Sequence, residues 1–171
     1  MNNSTSPFVA ILMGSDSDLP VMQAAIDVLG KLGISTEVKI TSAHRTPEAT
    51  HAYVRDADGR GCAVFIAAAG MAAHLAGTVA ALTIRPVIGV PMHAGSLGGL
   101  DALLSTVQMP GGIPVACVAI GEAGAKNAGY LAAQILALSD PELGERVKGE
   151  REDKARSVAE KDSKLQQRLS R

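Results

Sequence analysis

The sequence predicts a doubly wound, three-layer α/β fold, in which helices cover both faces of one five-stranded parallel sheet. Strand-like and helix-like segments alternate five times along the chain, with short connections between them. The first strand-like run is wholly apolar, as expected of a strand buried on both faces of a sheet. Alternation of this kind is typical of doubly wound sheets, for which the commonest five-strand order is 2-1-3-4-5.

The first part of the chain predicts three strands and two helices. Residues 8–13 form the first apolar run, and an amphipathic segment over residues 19–32 predicts a helix. β-branched residues at alternate positions predict the second strand over residues 34–40, and a helix follows over residues 47–57. Residues 62–67 then predict the third strand.

The second part of the chain continues the pattern. Residues 86–90 predict the fourth strand and residues 100–107 a helix. The fifth strand is predicted over residues 114–120, and the last core helix over residues 123–138. We therefore expect the α/β sheet to have five strands and to be complete before residue 141.

Composition changes abruptly near residue 141. Of the 30 residues from 142 to 171, 16 are charged, and Asp140-Pro141 is a typical helix start. The few apolar residues in this segment make only a thin stripe. We therefore predict a catalytic domain over residues 1–141 and an extended, charged C-terminal helix over residues 142–171, which is not an independent domain.

The polar loop after the first strand is the first candidate binding element. Ser15 and the backbone N–H groups of this loop suit an anion or a sugar hydroxyl, and Asp18 suits the hydroxyls of a ribose. Ser17 is a plausible cap of the following helix. The loop lacks both the Walker and the dinucleotide-binding fingerprint. The alternative interpretation is that Ser17 and Asp18 only cap the helix.

The turn after the second strand carries the densest set of functional groups. In residues 41–47 (Thr-Ser-Ala-His-Arg-Thr-Pro), Ser42 can hydrogen-bond a phosphate and Arg45 can clamp it with two parallel bonds. His44 provides an imidazole for proton transfer. Thr46 can cap the next helix, in which Pro47 suits the first position. Alternatively, Ser42 and Thr46 are local caps and the other side chains are ordinary loop surface.

The loop after the third strand consists mostly of glycine and alanine, which let a ligand approach closely. His74 is the one imidazole within it, although a lone histidine among alanines is also typical of a hydrogen-bonded core residue. In the order 2-1-3-4-5, strands two and three flank strand one, so all three loops would share one crevice. Such a crevice suits proton-transfer chemistry on a small phosphorylated metabolite: an isomerisation, a lyase step or a hydrolysis.

Composition excludes several classes of protein. Hydrophobic residues make up 47% of the chain and charged residues 19%, which argues against disorder. A net charge of −1 gives no reason to expect nucleic acid or an anionic membrane as partner. Without a secretory signal pattern or a long apolar run, we expect a soluble, cytoplasmic protein. Cys62 and Cys117 lack metal-ligand spacing, so we interpret them as buried structural thiols.

Assembly is predicted by the distribution of charge. From residue 61 to residue 100 the only charged side chain is Arg85. So long an uncharged stretch exceeds what one small domain needs to bury, and we therefore expect contacts between subunits.

The loop sequences identify a family. They are Gly14-Ser15-x-Ser17-Asp18, Ser42-Ala43-His44-Arg45-Thr46-Pro47, Ala72-Ala73-His74-Leu75, Gly89-Val90-Pro91 and Val107-Gln108-Met109-Pro110-x-Gly112-Ile113-Pro114-Val115. With these motifs in order, residues 9–138 closely resemble the N5-carboxyaminoimidazole ribonucleotide mutases of purine biosynthesis.

The resemblance implies a flavodoxin-like subunit in a homo-octamer and a reaction without ATP, biotin, metal or other cofactor. It implies that a carboxyl group moves from the exocyclic N5 nitrogen to ring carbon C4, through loss and recapture of CO2. His44 then matches the acid/base that carries a proton between C4 and N5, and His74 matches the histidine near the migrating carboxylate. The nucleotide-binding positions of the family correspond here to Ser15, Asp18, Ser42 and Arg45.

This chain departs from the common family pattern at Met71, Ala76 and His93, and the first two are expected to alter the loop after the third strand. The related aminoimidazole ribonucleotide carboxylases, which use free CO2, are the alternative within the fold. They typically carry a Ser-Asn-containing loop where this chain has Ala72-Ala73-His74-Leu75. A non-catalytic nucleotide-binding module is the alternative from another class, since it would need the phosphate clamp but neither histidine.

Overall fold

The computed structural model describes residues 7–170 and confirms the doubly wound α/β fold. Within these residues, five parallel strands form one sheet in the predicted order β2-β1-β3-β4-β5. The strands are β1 (Phe8–Met13), β2 (Ser35–Ile40), β3 (Cys62–Ala69), β4 (Val87–Pro91) and β5 (Ala116–Cys117). The helices are α1 (Leu19–Lys31), α2 (Pro47–Gly59), α3 (Leu75–Ala80), α4 (Leu100–Val107), α5 (Glu122–Ala137) and α6 (Pro141–Leu169).

The centre of the sheet forms the core. All six residues of β1 are buried, because the strand lies inside the sheet, between β2 and β3, and helices cover both of its faces. Phe65 of β3 is fully buried among aliphatic side chains of the sheet and of the helices α2 and α3. Burying one such side chain stabilises the fold by about 1.5–3 kcal/mol. A rigid sheet centre of this kind fixes the positions of the loops that follow β1 and β3.

The predicted fifth strand over residues 114–120 is wrong in extent, since only Ala116 and Cys117 pair with β4. This strand lies at the edge of the sheet and has no outer neighbour to extend its ladder. The chain still follows β4, since the Val118 N–H donates to the Gly89 carbonyl at 3.0 Å. It then turns so tightly into α5 that a Cβ built on Gly124 would overlap the Ala119 carbonyl oxygen.

The chain forms two compact units, and the boundary between them lies within α5: the first unit ends at Ala132 and the second begins at Ala133. The domain boundary drawn from the composition, at residue 141, remains a prediction. In the second unit, α6 is a single helix of 29 residues. Its N-terminus is capped by the Asp140 carboxylate, which accepts a bond from the Leu143 N–H at 3.0 Å. No helix in the described part of the chain is long and apolar enough to cross a bilayer.

Candidate active site

All six candidate site residues border one cleft of about 550 Å³ at the carboxyl ends of β1, β2 and β3. This is the crevice expected from the strand order, because the loops after these strands meet at one edge of the sheet. The lining residues are Gly14, Ser15, Ser17, Asp18, Ser42, Ala43, His44, Arg45, Ala69, Gly70, Met71, Ala72, His74, Leu75 and Ala94.

The loop after β1 is held by two reciprocal hydrogen bonds. The Ser15 hydroxyl caps a short 3-10 helix (Asp16–Asp18) by accepting from the Ser17 N–H at 3.3 Å. The Asp18 carboxylate accepts in return from the Ser15 N–H at 3.1 Å. The expected cap at Ser17 is therefore wrong: the chain makes a 3-10 turn before α1, and this turn gives the capping position to Ser15.

Asp18 is half-buried, and its pKa is raised above the ordinary value. Burial is the main cause, and the nearby Asp16 carboxylate adds to it; hydrogen bonds from the backbone of Ser15 and Gly14 act in the opposite direction. A desolvated carboxylate gains from additional hydrogen-bond donors. The two hydroxyls of a ribose would supply such donors in the cleft.

A network of hydroxyl groups makes the turn after β2 rigid. The buried Thr41 hydroxyl lies 2.7 Å from the Thr50 hydroxyl of α2. Thr46 occupies the N-cap position of α2 but makes no side-chain capping bond. Its hydroxyl instead accepts from the Ser42 N–H at 3.0 Å, while its own N–H donates to the Ser42 carbonyl at 2.9 Å. Thr46 therefore closes the turn rather than capping the helix.

Arg45 connects this turn to the loop after β1. One guanidinium nitrogen, Nη2, donates to the Gly14 carbonyl at 3.1 Å, and the Arg45 N–H donates to the Ser42 hydroxyl oxygen at 3.1 Å. A guanidinium carries five N–H donors, so this bond leaves donors for a bound phosphate. The Ser42 hydroxyl can still donate its own hydrogen. Arg45 and Ser42 thus present hydrogen-bond donors side by side, as an anion site requires.

The two imidazoles meet directly across the cleft. His44 Nε2 lies 2.7 Å from His74 Nδ1, and the rings stand edge to face at an interplanar angle of 89°. His44 belongs to the turn after β2, whereas His74 is the N-cap residue of α3. In an N–H···N bond one ring donates and the other accepts. The pair can therefore pass a proton from ring to ring.

Contacts with the loop after β4 and with helix α4 hold the loop after β3 in place. A Cβ built on Gly70 would lie 2.8 Å from the Ala94 Cβ, so only glycine allows the loop after β4 to approach this closely. The Ala73 N–H donates to the Ser105 hydroxyl of α4 at 2.9 Å. These contacts determine where the chain enters α3, and thereby the position of the His74 ring.

Sequence reasoning missed Ser105 and Ala94. A serine on the mostly apolar helix α4 is a weak signal for Ser105, and its partner, 32 positions earlier in the chain, cannot be read from the sequence. Ala94 is one small residue among several in a flexible-looking loop and carries no signal. Of the three departures from the family pattern, Met71 lines the cleft, whereas Ala76 is buried and His93 is exposed outside the lining.

The thiols have no part in the cleft. Cys62 is buried, and this burial raises its pKa to about 11. Burial also raises the pKa of the half-buried Cys117. Both groups are therefore poor nucleophiles at neutral pH. The predicted burial holds for Cys62, whereas Cys117 is only half-buried. Among the described residues, no group of three His, Cys, Asp or Glu side chains could hold a metal ion.

Comparison with known proteins gives one consistent result. A family model described as AIR carboxylase matches residues 8–157. The N5-carboxyaminoimidazole ribonucleotide mutase of Thermotoga maritima is 54% identical over 94% of this chain and 93% of its own length. That of Synechocystis sp. is 56% identical over 95% and 92%, respectively. The crystal structure of Treponema denticola PurE superposes with a TM-score of 0.85 at 34% identity, covering 94% of this chain and 99% of that one.

Proposed function

This chain belongs to the AIR carboxylase family and carries out the N5-carboxyaminoimidazole ribonucleotide mutase reaction of de novo purine biosynthesis; we propose that His44 and His74 move the proton in that reaction. The observation that carries the proposal is the 2.7 Å contact between His44 Nε2 and His74 Nδ1 in the cleft. A mutase that exchanges a carboxyl group and a hydrogen between two atoms of one substrate needs such a proton carrier.

The reaction moves one proton as well as one carboxyl group. The C–N bond of the carbamate breaks, its electron pair stays on N5, and neutral CO2 departs while N5 is protonated. C4 is the nucleophilic carbon of an enamine, and it forms a C–C bond to the CO2. C4 then loses its hydrogen as a proton, so N5 has gained the hydrogen that C4 gives up.

The histidine pair suits this exchange, because an imidazole can accept a proton at one nitrogen and donate one from the other. We assign His44 as the acid/base that serves C4 and N5. His74 lies beside it, near the migrating carboxylate, and holds the His44 ring through the shared hydrogen bond. General acid–base catalysis of this kind contributes about a hundred- to ten-thousandfold in rate.

The remaining candidate residues bind the nucleotide. We assign Arg45, Ser42 and Ser15 to the phosphate, for which a guanidinium and two hydroxyls provide charge-assisted and neutral hydrogen bonds. Asp18 is assigned to the ribose hydroxyls. Because Arg45 already joins the loops after β1 and β2 through Gly14, phosphate binding would tighten the contact between the two loops.

A direct assay tests the function. The purified protein is supplied either with N5-carboxyaminoimidazole ribonucleotide or with aminoimidazole ribonucleotide and bicarbonate at matched concentrations. We expect rapid formation of 4-carboxy-5-aminoimidazole ribonucleotide from the first substrate only. Faster product formation from the second mixture would instead identify a carboxylase that uses free CO2.

The proposal requires no cofactor. The carboxyl group is already attached to the substrate, so neither ATP nor biotin is needed to activate it, and no electrons are gained or lost. A cytoplasmic location is part of the same proposal, because a phosphorylated nucleotide does not cross membranes unaided.

We also propose that the protein is a homo-oligomer, with the octamer taken from the family resemblance. Helix α4 exposes an apolar stripe: Leu100, Leu104 and Val107 recur at helical spacing and are 52%, 48% and 47% exposed. A stripe of this kind on a single chain is typical of a surface covered by another subunit.

We expect light scattering at micromolar concentration to report a particle several times heavier than the 17.5 kDa chain. Leu104→Glu should lower that mass, because it places a charge in the apolar stripe. Leu138→Glu is the matched control, since Leu138 is 88% exposed and lies outside the stripe. A 17.5 kDa particle for the unaltered chain would contradict the proposal.

A further inference from the structure

We propose that Met71 is an apolar cover over the reacting atoms, which retains the released CO2 in the cleft until C4 captures it. The proposal rests on the mutase function above and deepens it. It assigns a role to a residue at which this chain departs from the glycine that is common in the family pattern.

The backbone at Met71 is in a conformation that favours glycine. Among the described residues it is the only non-glycine residue with a positive φ, at 57°. Left-handed backbone is uncommon for a residue with a long side chain, and such strain clusters at functional sites. Burial does not account for the methionine, because Met71 is 60% exposed. A glycine here would relieve the strain without opening a hole in the core.

Contacts of the residues before and after Met71 hold its backbone in this conformation. The preceding residue, Gly70, lies so close to the loop after β4 that a Cβ on it would be 2.8 Å from the Ala94 Cβ. Two residues later, the Ala73 N–H is bound to Ser105 of α4 at 2.9 Å. Met71 is therefore held between two anchors and cannot easily adopt another backbone conformation.

The Met71 side chain reaches from one loop to the other. A Cβ built on Gly95, in the loop after β4, would lie 3.4 Å from the Met71 Cγ. The thioether chain thus extends from the loop after β3 towards the loop after β4, whose residue Ala94 also lines the cleft. Methionine is flexible and polarisable, so it can move aside for the substrate and pack over it afterwards.

An apolar cover suits the chemistry of the cleft. Polar groups line the side formed by the loops after β1 and β2, whereas the side formed by the loop after β3 is apolar apart from His74: Ala69, Gly70, Met71, Ala72 and Leu75. CO2 is neutral and small, and no charge or covalent bond holds it once the carbamate has broken. An apolar wall that excludes water retains it beside C4 and limits side reactions.

The experiment compares the unaltered enzyme with Met71→Gly and Met71→Leu during turnover of unlabelled substrate in isotopically labelled bicarbonate. Carbonic anhydrase is added to keep bicarbonate and CO2 in equilibrium. Mass spectrometry then gives the labelled fraction of the product carboxylate and the amount of aminoimidazole ribonucleotide released. Light scattering and the thermal midpoint are measured for all three proteins.

We expect Met71→Gly to raise the labelled fraction and the released aminoimidazole ribonucleotide several-fold, because CO2 escapes before capture. Its thermal midpoint should not fall, since glycine suits the positive φ. Met71→Leu keeps an apolar cover and should stay close to the unaltered enzyme.

If the labelled fraction of the product in Met71→Gly equals that of the unaltered enzyme, the proposed cover is wrong, while the mutase function stands. Equal rises of the labelled fraction in the glycine and leucine variants would also contradict the proposal. So would a lowered particle mass with an unchanged labelled fraction, because Met71 would then be a subunit contact. Complete labelling by the unaltered enzyme would overturn both the cover and the mutase function.

Discussion

Replacing His44 with asparagine is expected to lower turnover by about a hundred- to ten-thousandfold, the usual loss for a missing acid/base group. Asparagine is similar in size to the imidazole and can form hydrogen bonds, but it cannot accept a proton at one atom and release one from another. Since His44 acts only while bonds at C4 and N5 change, the affinity for the nucleotide should change little. Steady-state kinetics and a separate measurement of nucleotide binding provide the two values.

His51→Asn is the matched control. His51 lies on the exposed face of α2 and does not line the cleft, so this variant should have normal turnover. The assignment would be contradicted if His44→Asn kept near-normal turnover, or if it lost affinity alone.

Replacing Arg45 with alanine should act mainly on the Michaelis constant, raising it by about a hundredfold. The phosphate carries its charge in the ground state and in the transition state alike, so its contact with Arg45 contributes to binding rather than to turnover. A charge-assisted contact of about 3 kcal/mol corresponds to that factor. Initial rates over a wide range of substrate concentration separate the Michaelis constant from turnover.

Two further variants support the interpretation of Arg45. Arg45→Lys keeps the charge but loses the planar fork, so we expect an intermediate Michaelis constant. Arg55→Ala removes an exposed arginine of α2 that does not line the cleft, and it should leave the kinetics unchanged. A fall in turnover without a change in the Michaelis constant in Arg45→Ala would show that Arg45 takes part in the chemistry instead.

Much of the fold could be predicted because it depends on local patterns. The apolar run at Phe8–Met13 and the Asp140-Pro141 helix start coincide with the observed β1 and α6. The alternation of strands and helices predicts a doubly wound sheet, for which 2-1-3-4-5 is the commonest five-strand order, and this order brings the three loops together. The candidate site was therefore predictable as a set of residues at one edge of the sheet.

The remainder depends on contacts between distant parts of the chain. The extent of β5 is limited by its place at the sheet edge, which local propensity does not encode. The capping role of Ser15 rather than Ser17 depends on a 3-10 turn in a loop where both serines fit the pattern. The direct contact of His44 with His74, 30 positions apart, depends on the close packing of Gly70 and on the bond that the Ala73 N–H donates to the Ser105 hydroxyl. None of these three features leaves a periodic pattern in the sequence from which it could be predicted.

The central claim is that His44 and His74 act as one proton-transferring unit, and the turnover of the double variant tests it most directly. His44→Asn, His74→Asn and the combined variant are compared under saturating substrate, with nucleotide binding measured for each. Groups that work as a unit lose most of their effect when either is removed. We therefore predict that each single variant is slow and that the double variant is about as slow as His44→Asn alone. Losses that multiply in the double variant, or normal turnover in His74→Asn, would contradict the account.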